Sequence, residues 1–227
     1  MSDTFKFHDL ESAPEASKEL LSRLFAETGR NGFYAVLAES PETLKAYTQL
    51  HNLFMNTSFT DEERTVIWQT INVEHECTFC VPAHTAMAKH MKIDDKVSNA
   101  LRDETLLPTA KLEALRSFTL EVVRTRGNAS KAAISDFLKS GYTLQNILEV
   151  VLGLSQKTIS NYINHLAKTP MEEKYSQFSW TNLKDFNLSK SAIAPDRYHI
   201  WRFHARRTYS TVIDVWFAGG GRFHNPI

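Results

Sequence analysis

Helical periodicity is the feature that most restricts the fold of this chain. Up to about residue 175, apolar side chains recur every three or four positions, and capping residues and glycines divide the pattern into segments of helical length. The segment 13–29, for example, places Leu20, Leu21 and Leu24 on one stripe and ends at Gly29. No convincing alternation of apolar and polar residues, the mark of a strand, occurs in this part. The sequence therefore predicts an all-α body packed from about six to eight helices.

Local start signals delimit several of these helices. Ser40 stands directly before Pro41, which suits an N-cap followed by the first helical residue. Thr60 stands three residues before Glu63, the spacing of a capping box, in which each residue satisfies a backbone N–H of the other. These signals place the beginnings of helices more closely than periodicity alone does.

The longest predicted helix extends from Thr143 to Pro170, and Gly153 is a candidate for a bend within it. Its second half resembles the recognition half of a helix-turn-helix module. Such a module needs several cations to neutralise phosphates, and this stretch has only Lys157 and Lys168. We therefore interpret its apolar side chains as core or oligomer packing, and we expect no nucleic-acid partner.

Charge balance and hydropathy restrict the function further. The 227 residues include 26 Lys+Arg and 26 Asp+Glu, so the chain has no overall basic field that would attract nucleic acid. No apolar run is long enough to span a bilayer, so we expect no membrane segment. The first twenty residues lack the charged start, apolar run and cleavage site of a secretory signal. These features predict a cytoplasmic location.

The C-terminal segment differs in character from the helical body. Residues 181–227 carry seven Lys+Arg against three Asp+Glu, and they are aromatic, β-prone and broken by three consecutive glycines. They share neither the charge balance nor the periodicity of the body. We therefore divide the chain into a helical domain at 1–180 and an appended basic tail at 181–227, which we expect to be poorly ordered and to add little to the fold.

Both cysteines of the chain lie in one short stretch, "HECTFCVPAH" at 75–84. A helix tolerates Pro82 only in its first turn, where backbone N–H groups lack intrahelical partners. This places the helix start near Thr78 or Phe79 and Cys80 in the first turn, at the positive end of the helix dipole, which favours the thiolate. His84 then lies one turn later on the same face. Cys77 falls just before the helix, where the backbone can bring the two sulfurs together.

Three kinds of chemistry fit this stretch. A redox-active dithiol is favoured, because a lone Cys-x-x-Cys in a reducing compartment is more often catalytic or metal-binding than a structural crosslink. A zinc site would use both cysteines, His84 and one of His75, Glu76 or His90, but no second cysteine pair exists to complete a structural site. The third interpretation is a pair of buried, unreactive thiols.

The motif "CTFCVPAH" resembles the Cys-x-x-Cys-x-x-x-His signature of the alkylhydroperoxidase D-like branch of the carboxymuconolactone decarboxylase superfamily. The upstream stretches "SPETLKAY" and "ERTVIWQTINVEHEC" and the downstream stretches "KLEALRSFTLEVVRTRG" and "SNYINHLAKTP" are similar to its peroxidase-related members, so the resemblance covers residues 9–180. It implies an alkylhydroperoxidase D-like helical bundle that assembles into homo-oligomers. It also implies dithiol peroxidase or disulfide-reductase activity without a metal or other cofactor.

The resemblance assigns a role to three residues of the motif. Cys80 matches the peroxidatic cysteine, which becomes a sulfenic acid. Cys77 matches the partner that donates a proton and then closes the disulfide, and His84 matches the histidine that relays the Cys80 proton. Decarboxylases of the superfamily lack the cysteine pair as a rule, so "CTFC" argues against that activity.

One position departs from the family pattern. Family members often carry a glutamate twelve residues before the first cysteine, and here that position is Thr65. We take Glu74, close in the chain to the cysteines, as the preferred substitute in the relay. Glu63 is the other candidate, although its spacing from Thr60 fits a capping role better.

The sequence therefore predicts a cytoplasmic dithiol peroxidase with an antioxidant role. Its partners would be a hydroperoxide substrate and an external dithiol or thioredoxin-like reductant, and its predicted catalytic residues are Cys77, Cys80, His84 and Glu74. Two alternatives stay open, a carboxymuconolactone-type decarboxylase and a helical interaction module whose thiols are incidental.

Overall fold

The computed structural model describes residues 4–182, which lie within the first of two units of the chain, Met1–Leu183. In the described part all regular secondary structure is α-helical, which confirms the predicted all-α fold. In chain order the helices are α1 (Glu15–Thr28), α2 (Gly32–Leu37), α3 (Pro41–Met55), α4 (Asp61–Glu74), α5 (Cys80–His90), α6 (Asp95–Arg102), α7 (Ala110–Thr125), α8 (Lys131–Lys139), α9 (Leu144–Ala167) and α10 (Glu173–Ser176). Of the predicted tail, all but residues 181 and 182 lies outside the described residues.

These ten helices exceed the six to eight predicted within the same range. The additional elements are short, with six residues in α2, eight in α6 and four in α10. A helix of about two turns or fewer shows too little apolar periodicity to be recognised in a sequence. No described helix is long and apolar enough to cross a membrane.

The predicted helix starts are confirmed. The Ser40 hydroxyl accepts a hydrogen bond from the Thr43 backbone N–H, and Pro41 is the first residue of α3. Thr60 and Glu63 form the complete capping box at the start of α4. Each cap satisfies backbone N–H groups that have no partner within the helix, a contribution of about 1 kcal/mol apiece.

Helix α4 is the centre of the bundle. It packs against α5, α6, α7 and α9, and its side chains are buried without interruption from Thr65 to Val73. Trp68 and its neighbours in α4 belong to a large apolar cluster shared with α6, α7 and the first half of α9. A second cluster joins α1, α2 and α3 to the two cysteines. The cysteine stretch therefore lies where the central helix meets the N-terminal helices.

Helix α9 is continuous across Gly153, and close packing explains the glycine. A Cβ atom at this position would lie 2.7 Å from Cε2 of Phe54 and 3.0 Å from Cγ2 of Ile67. Real Cβ atoms do not approach ring carbons this closely, so the glycine allows α9 to lie against α3 and α4. The sequence signal at Gly153 thus marks a close contact between helices.

We expect Gly153→Ala to lower the free energy of unfolding by about 1–3 kcal/mol, because the added methyl group overpacks the Phe54 ring. Alanine is the better helix former, so propensity alone predicts the opposite sign. Urea denaturation followed by circular dichroism measures the difference. Ser155→Ala, at an exposed position of the same helix, is the matched control and should change stability by less than about 0.5 kcal/mol. A Gly153→Ala protein as stable as the wild type would contradict the packing argument.

An apolar stripe runs along the outer face of α9. Its large side chains are between 45% and 71% exposed. They are Leu144, Leu148, Val151, Tyr162 and Leu166. Side chains of this kind are candidates for burial between subunits, and the expected homo-oligomer stays a prediction.

If this stripe is a subunit interface, light scattering at micromolar concentration will give a multiple of the chain mass of 25.9 kDa. Leu148→Glu places a charge in the middle of the stripe and should lower the measured mass, because an unpaired carboxylate is costly to bury. Lys131→Glu, on an exposed part of α8, is the control. A wild-type mass of one chain would contradict the prediction.

Candidate active site

Helix α5 begins at Cys80, one or two residues after the predicted start, with Pro82 in its first turn and Phe79 as the N-cap residue. The predicted position of Cys80 in the first turn is confirmed. Cys77 precedes the helix, and the two cysteines form a disulfide with their Cα atoms 5.2 Å apart. The backbone N–H of Cys80 also donates to the sulfur of Cys77 at 3.2 Å. The turn before α5 thus holds both sulfurs together at the positive end of the helix.

Amide side chains of α4 hold this turn in place. Gln69 donates to the backbone carbonyl of Val81 at 3.1 Å, and Asn72 donates to that of Cys80 at 3.4 Å. Asn72 also donates to Gln69, and it accepts from Asn161 of α9 at 2.9 Å. These side chains are fully buried, so each hydrogen bond replaces one that water would otherwise supply. The cysteine turn is therefore fixed from both α4 and α9.

A cavity of about 460 Å³ opens beside the cysteines. Cys80, 3% exposed, lines the cavity, whereas Cys77 is fully buried at 0%. Aromatic side chains form much of the wall. They are Phe33, Tyr34, Tyr47, Phe79 and Tyr175. A molecule that enters the cavity therefore meets Cys80 before Cys77. The number of aromatic rings in the wall is sufficient to surround an organic ligand.

His84 also lines the cavity, and its hydrogen-bond partner is a buried lysine. Nζ of Lys157 lies 2.9 Å from Nε2 of His84, and Lys157 is only 1% exposed. Burial lowers the pKa of Lys157 to about 7. Burial, with the nearby charge of Lys157 and then of His51, also holds the pKa of His84 well below its usual value. His84 is therefore neutral at pH 7, and Lys157 changes its charge close to that pH.

Asn164 of α9 faces the sulfur of Cys80. Its side-chain N–H group donates to the backbone carbonyl of Ser160 at 2.8 Å and to the sulfur of Cys80 at 3.4 Å. A backbone carbonyl can only accept, so the contact with Ser160 fixes which end of the amide points at the sulfur. A donor aimed at the sulfur stabilises the thiolate more than the thiol.

Glu74, the preferred relay residue, does not join this group. Its two carboxylate oxygens accept hydrogen bonds from the Arg124 guanidinium, each at 2.8 Å. Glu74 ends α4 and binds α7, whereas the cavity lies on the side of α5 and α9. This geometry gives Glu74 a structural role as a bidentate ion pair between two helices. The structure brings Cys77, Cys80 and His84 together and leaves Glu74 outside.

Glu63, the other relay candidate, and Thr65, which stands at the position of the family glutamate, both have local partners. Glu63 completes the capping box of α4 and forms an ion pair with Lys111 at 3.1 Å. The Thr65 hydroxyl donates to the backbone carbonyl of Asp61 at 2.8 Å. The contact that His84 makes at Nε2 is therefore with a lysine and not with a carboxylate.

Sequence reasoning missed Lys157 and Asn164, although a signal for them exists. Helix α9 buries a run of polar residues at helical spacing in its second half. They are Gln156, Lys157, Ser160, Asn161 and Asn164. A polar stripe that faces inward on an otherwise apolar helix indicates a hydrogen-bonded site, since buried polar groups need partners.

Among the described residues, no group of three or more His, Cys, Asp or Glu side chains is arranged to hold a metal ion. The zinc alternative would need His75, Glu76 or His90 beside the cysteine pair. His75 instead lies 2.9 Å, through Nδ1, from Oδ1 of Asn161. The geometry thus gives the zinc hypothesis no support.

No protein-family profile matches the chain, and no curated protein matches it in sequence. Solved structures do match. An alkylhydroperoxidase AhpD core, an uncharacterised peroxidase-related protein from Ralstonia eutropha, has a TM-score of 0.66 at 16% identity over 77% of this chain and 96% of its own. The fold is that of the AhpD core. The predicted resemblance is thereby confirmed at the level of the fold, which is all that identities this low establish.

Two further structures with an AhpD-like fold are similar to the chain. A peroxidase-related protein from a Silicibacter species has a TM-score of 0.64 at 16% identity, over 77% of this chain and 97% of its own. A variant of the debrominase Bmp8 in complex with 2,3,4-tribromopyrrole has a TM-score of 0.65 at 12% identity, over 82% of this chain and 98% of its own. Similar folds therefore occur in peroxidase-related proteins and in a debrominase.

We expect Asn164→Asp to raise the pKa of the Cys80 thiol by at least about one unit, or about 1.4 kcal/mol. The substitution keeps the shape of the side chain but replaces the donor with a carboxylate, which repels the thiolate. Iodoacetamide alkylation as a function of pH measures the effect, in a Cys77→Ser background that leaves a single thiol. The control, Asn99→Asp on the exposed face of α6, should leave the profile unchanged. An unchanged profile in Asn164→Asp would show that Asn164 does not tune the sulfur.

Proposed function

We propose that this protein is a dithiol peroxidase that reduces hydroperoxides with Cys80 and Cys77. The observation that carries the proposal is the disulfide beside the cavity, in which one sulfur borders the cavity and the other is closed off. This asymmetry suits a pair in which Cys80 meets the substrate and Cys77 resolves the product. The AhpD-like fold supports a peroxidase-type oxidoreductase in general terms.

The proposed reaction has two steps. The Cys80 thiolate attacks the terminal oxygen of the hydroperoxide, so that an S–O bond forms, the O–O bond breaks and an alkoxide leaves. His84 takes the Cys80 proton beforehand and returns it to the alkoxide. The Cys77 thiol then condenses with the sulfenic acid to form the disulfide and release water. An external dithiol or thioredoxin-like protein restores the pair by thiol–disulfide exchange.

Two features of the site favour the thiolate that this reaction needs, and a third residue can relay its proton. Cys80 is the first residue of α5, where the helix dipole is positive. Asn164 directs an N–H group at the sulfur. His84 is neutral near pH 7 because burial lowers its pKa, so the ring can relay the Cys80 proton but does not itself stabilise the thiolate. A thiol whose pKa falls by two units from about 8.5 changes from a minor to the major thiolate form at neutral pH.

The aromatic wall supports an organic hydroperoxide in preference to hydrogen peroxide. A cavity of about 460 Å³ is within the usual range for small organic ligands. Burying an apolar substituent against rings such as Phe79 and Tyr175 contributes to binding in proportion to the area removed from water. Hydrogen peroxide has no such substituent, so it gains nothing from this wall.

Reductive dehalogenation is a second candidate. The similar debrominase was solved with a bromopyrrole, and the cavity of the present chain is lined by rings that suit a flat ligand. The same dithiol could supply the electrons, because an aryl bromide and two thiols yield the arene, hydrogen bromide and a disulfide. Release of bromide from a bromopyrrole without peroxide consumption would favour this function.

Peroxide consumption on variants of the two cysteines tests the main proposal. Wild-type protein with dithiothreitol or a thioredoxin system should consume cumene hydroperoxide catalytically, and Cys80→Ser should abolish consumption. Cys77→Ser should react once, because Cys80 still forms a sulfenic acid but no resolving thiol remains. A dimedone-type probe followed by mass spectrometry should then label Cys80.

Two results would contradict the proposal. A wild-type protein that consumes no hydroperoxide with any dithiol would favour the dehalogenase or a non-catalytic interaction module. Labelling of Cys77 in the Cys80→Ser variant at the wild-type rate would reverse the roles of the two cysteines. Ser58→Ala, distant from the cavity, serves as the activity control.

A further inference from the structure

The contact between Lys157 and His84 has no counterpart in the relay that the sequence resemblance implies. That relay ends in a carboxylate, whereas here the side chain behind the histidine is a lysine. We propose that Lys157 is a positioning residue that acts through His84, storing the Cys80 proton in the reduced protein and returning it to the leaving group. This inference rests on the proposed peroxidase function.

The placement of Lys157 supports a role through His84, although both residues line the cavity. Lys157 is 1% exposed, and its Nζ lies 2.9 Å from the Nε2 of a histidine that itself borders the cavity. The hydrogen bond can run in either direction, because an ammonium donates to Nε2 and a protonated Nε2 donates to a neutral amine.

The groups around Lys157 do not stabilise its charged form. The cavity beside it is also lined by His90, Lys174 and the tyrosines Tyr34, Tyr47 and Tyr175. The charge of Lys157 acts on three histidines, namely His51 on α3, His75 at the end of α4 and His84 on α5. Burial lowers the pKa of each, so all three are mainly neutral at pH 7. In the described part of the chain, no carboxylate forms an ion pair with Lys157. Burying an ammonium group without a nearby anion is energetically unfavourable, so burial favours the neutral amine of Lys157.

The reduced protein supplies the missing anion. When the disulfide is opened, the Cys80 proton passes through the His84 ring to the Lys157 amine, which leaves a thiolate and an ammonium within one buried site. The two charges compensate each other, and each lowers the cost of burying the other. A glutamate in this place would be neutral after taking the proton and would give the thiolate no such partner.

With this relay, every bond and every proton of the catalytic cycle is accounted for. Thiolate attack forms the S–O bond and breaks the O–O bond, and the alkoxide takes the proton that returns from Lys157 through His84. Condensation of the Cys77 thiol with the sulfenic acid releases water and leaves Lys157 as a neutral amine. In the disulfide form burial lowers the pKa of Lys157 to about 7, so a large fraction of the amine is neutral near that pH.

Two substitutions distinguish the effect of the Lys157 charge from the effect of proton transfer by Lys157. Lys157→Met keeps the length of the side chain but not its charge, so the pKa of the Cys80 thiol should rise by at least about one unit, a tenfold slower alkylation near neutral pH. Lys157→Arg keeps the charge but does not release a proton, so alkylation should stay fast while the reaction with peroxide slows at least about tenfold. Lys131→Met, an exposed lysine, should change neither quantity.

Nuclear magnetic resonance of the lysine ε-carbon tests the proton store without any turnover. Lys157 should titrate near pH 7 in the disulfide form and at least about one unit higher in the dithiol form, because the thiolate stabilises the ammonium. An equal pKa in the two forms would overturn the inference. A Lys157→Met protein with a wild-type alkylation profile would also overturn it, as would a Lys157→Arg protein with full peroxidase activity.

These measurements distinguish the two proposals. If the protein consumes no peroxide but the Lys157 titration still shifts on reduction, the proposed function fails and the coupling between Lys157 and Cys80 stands. If peroxide is consumed and the Lys157 titration does not shift on reduction, the proposed function is supported and the relay through Lys157 is contradicted. Melting temperatures of the variants show whether each substitution leaves the fold intact.

Discussion

The hydrogen bonds from Gln69 and Asn72 to the backbone carbonyls of the cysteine turn are the constraint on which the site depends. Both side chains come from the fully buried stretch of α4, so their positions are set by the packing of the whole bundle. They place Cys80 at the beginning of α5, and Asn161 connects the same network to α9. Helices α4, α5 and α9 thus act as one rigid support for the sulfur.

Much of the fold could be predicted because its signals are local. The caps at Ser40 and Thr60 and the start of α5 near Cys80 follow from the chemistry of a single turn, and the structure confirms each one. Pro82 restricted the start of α5 to a few positions just before it, so the sequence also located Cys80 in the first turn. Rules of this kind need no knowledge of which helices meet.

The rest of the site depends on how helices dock, which a single sequence does not specify. Glu74 is near the cysteines in the chain, yet the rotation of α4 directs it to Arg124 on α7. Lys157 and Asn164 are some eighty residues from the cysteines in the chain. Lys157 contacts His84 and Asn164 contacts Cys80 only because α9 lies beside α5. Short helices were missed for a different reason, since α10, which brings Tyr175 to the cavity, has only one turn.

The complete burial of Cys77 has a kinetic consequence. An external thiol can attack the disulfide only at the sulfur that borders the cavity, which is that of Cys80. The molecule that oxidises the pair and the molecule that restores it would therefore use the same entrance, one after the other. Such an arrangement leads to substituted-enzyme kinetics, with parallel lines in a double-reciprocal plot. At high concentration, each reactant would inhibit by occupying the form of the protein that belongs to the other.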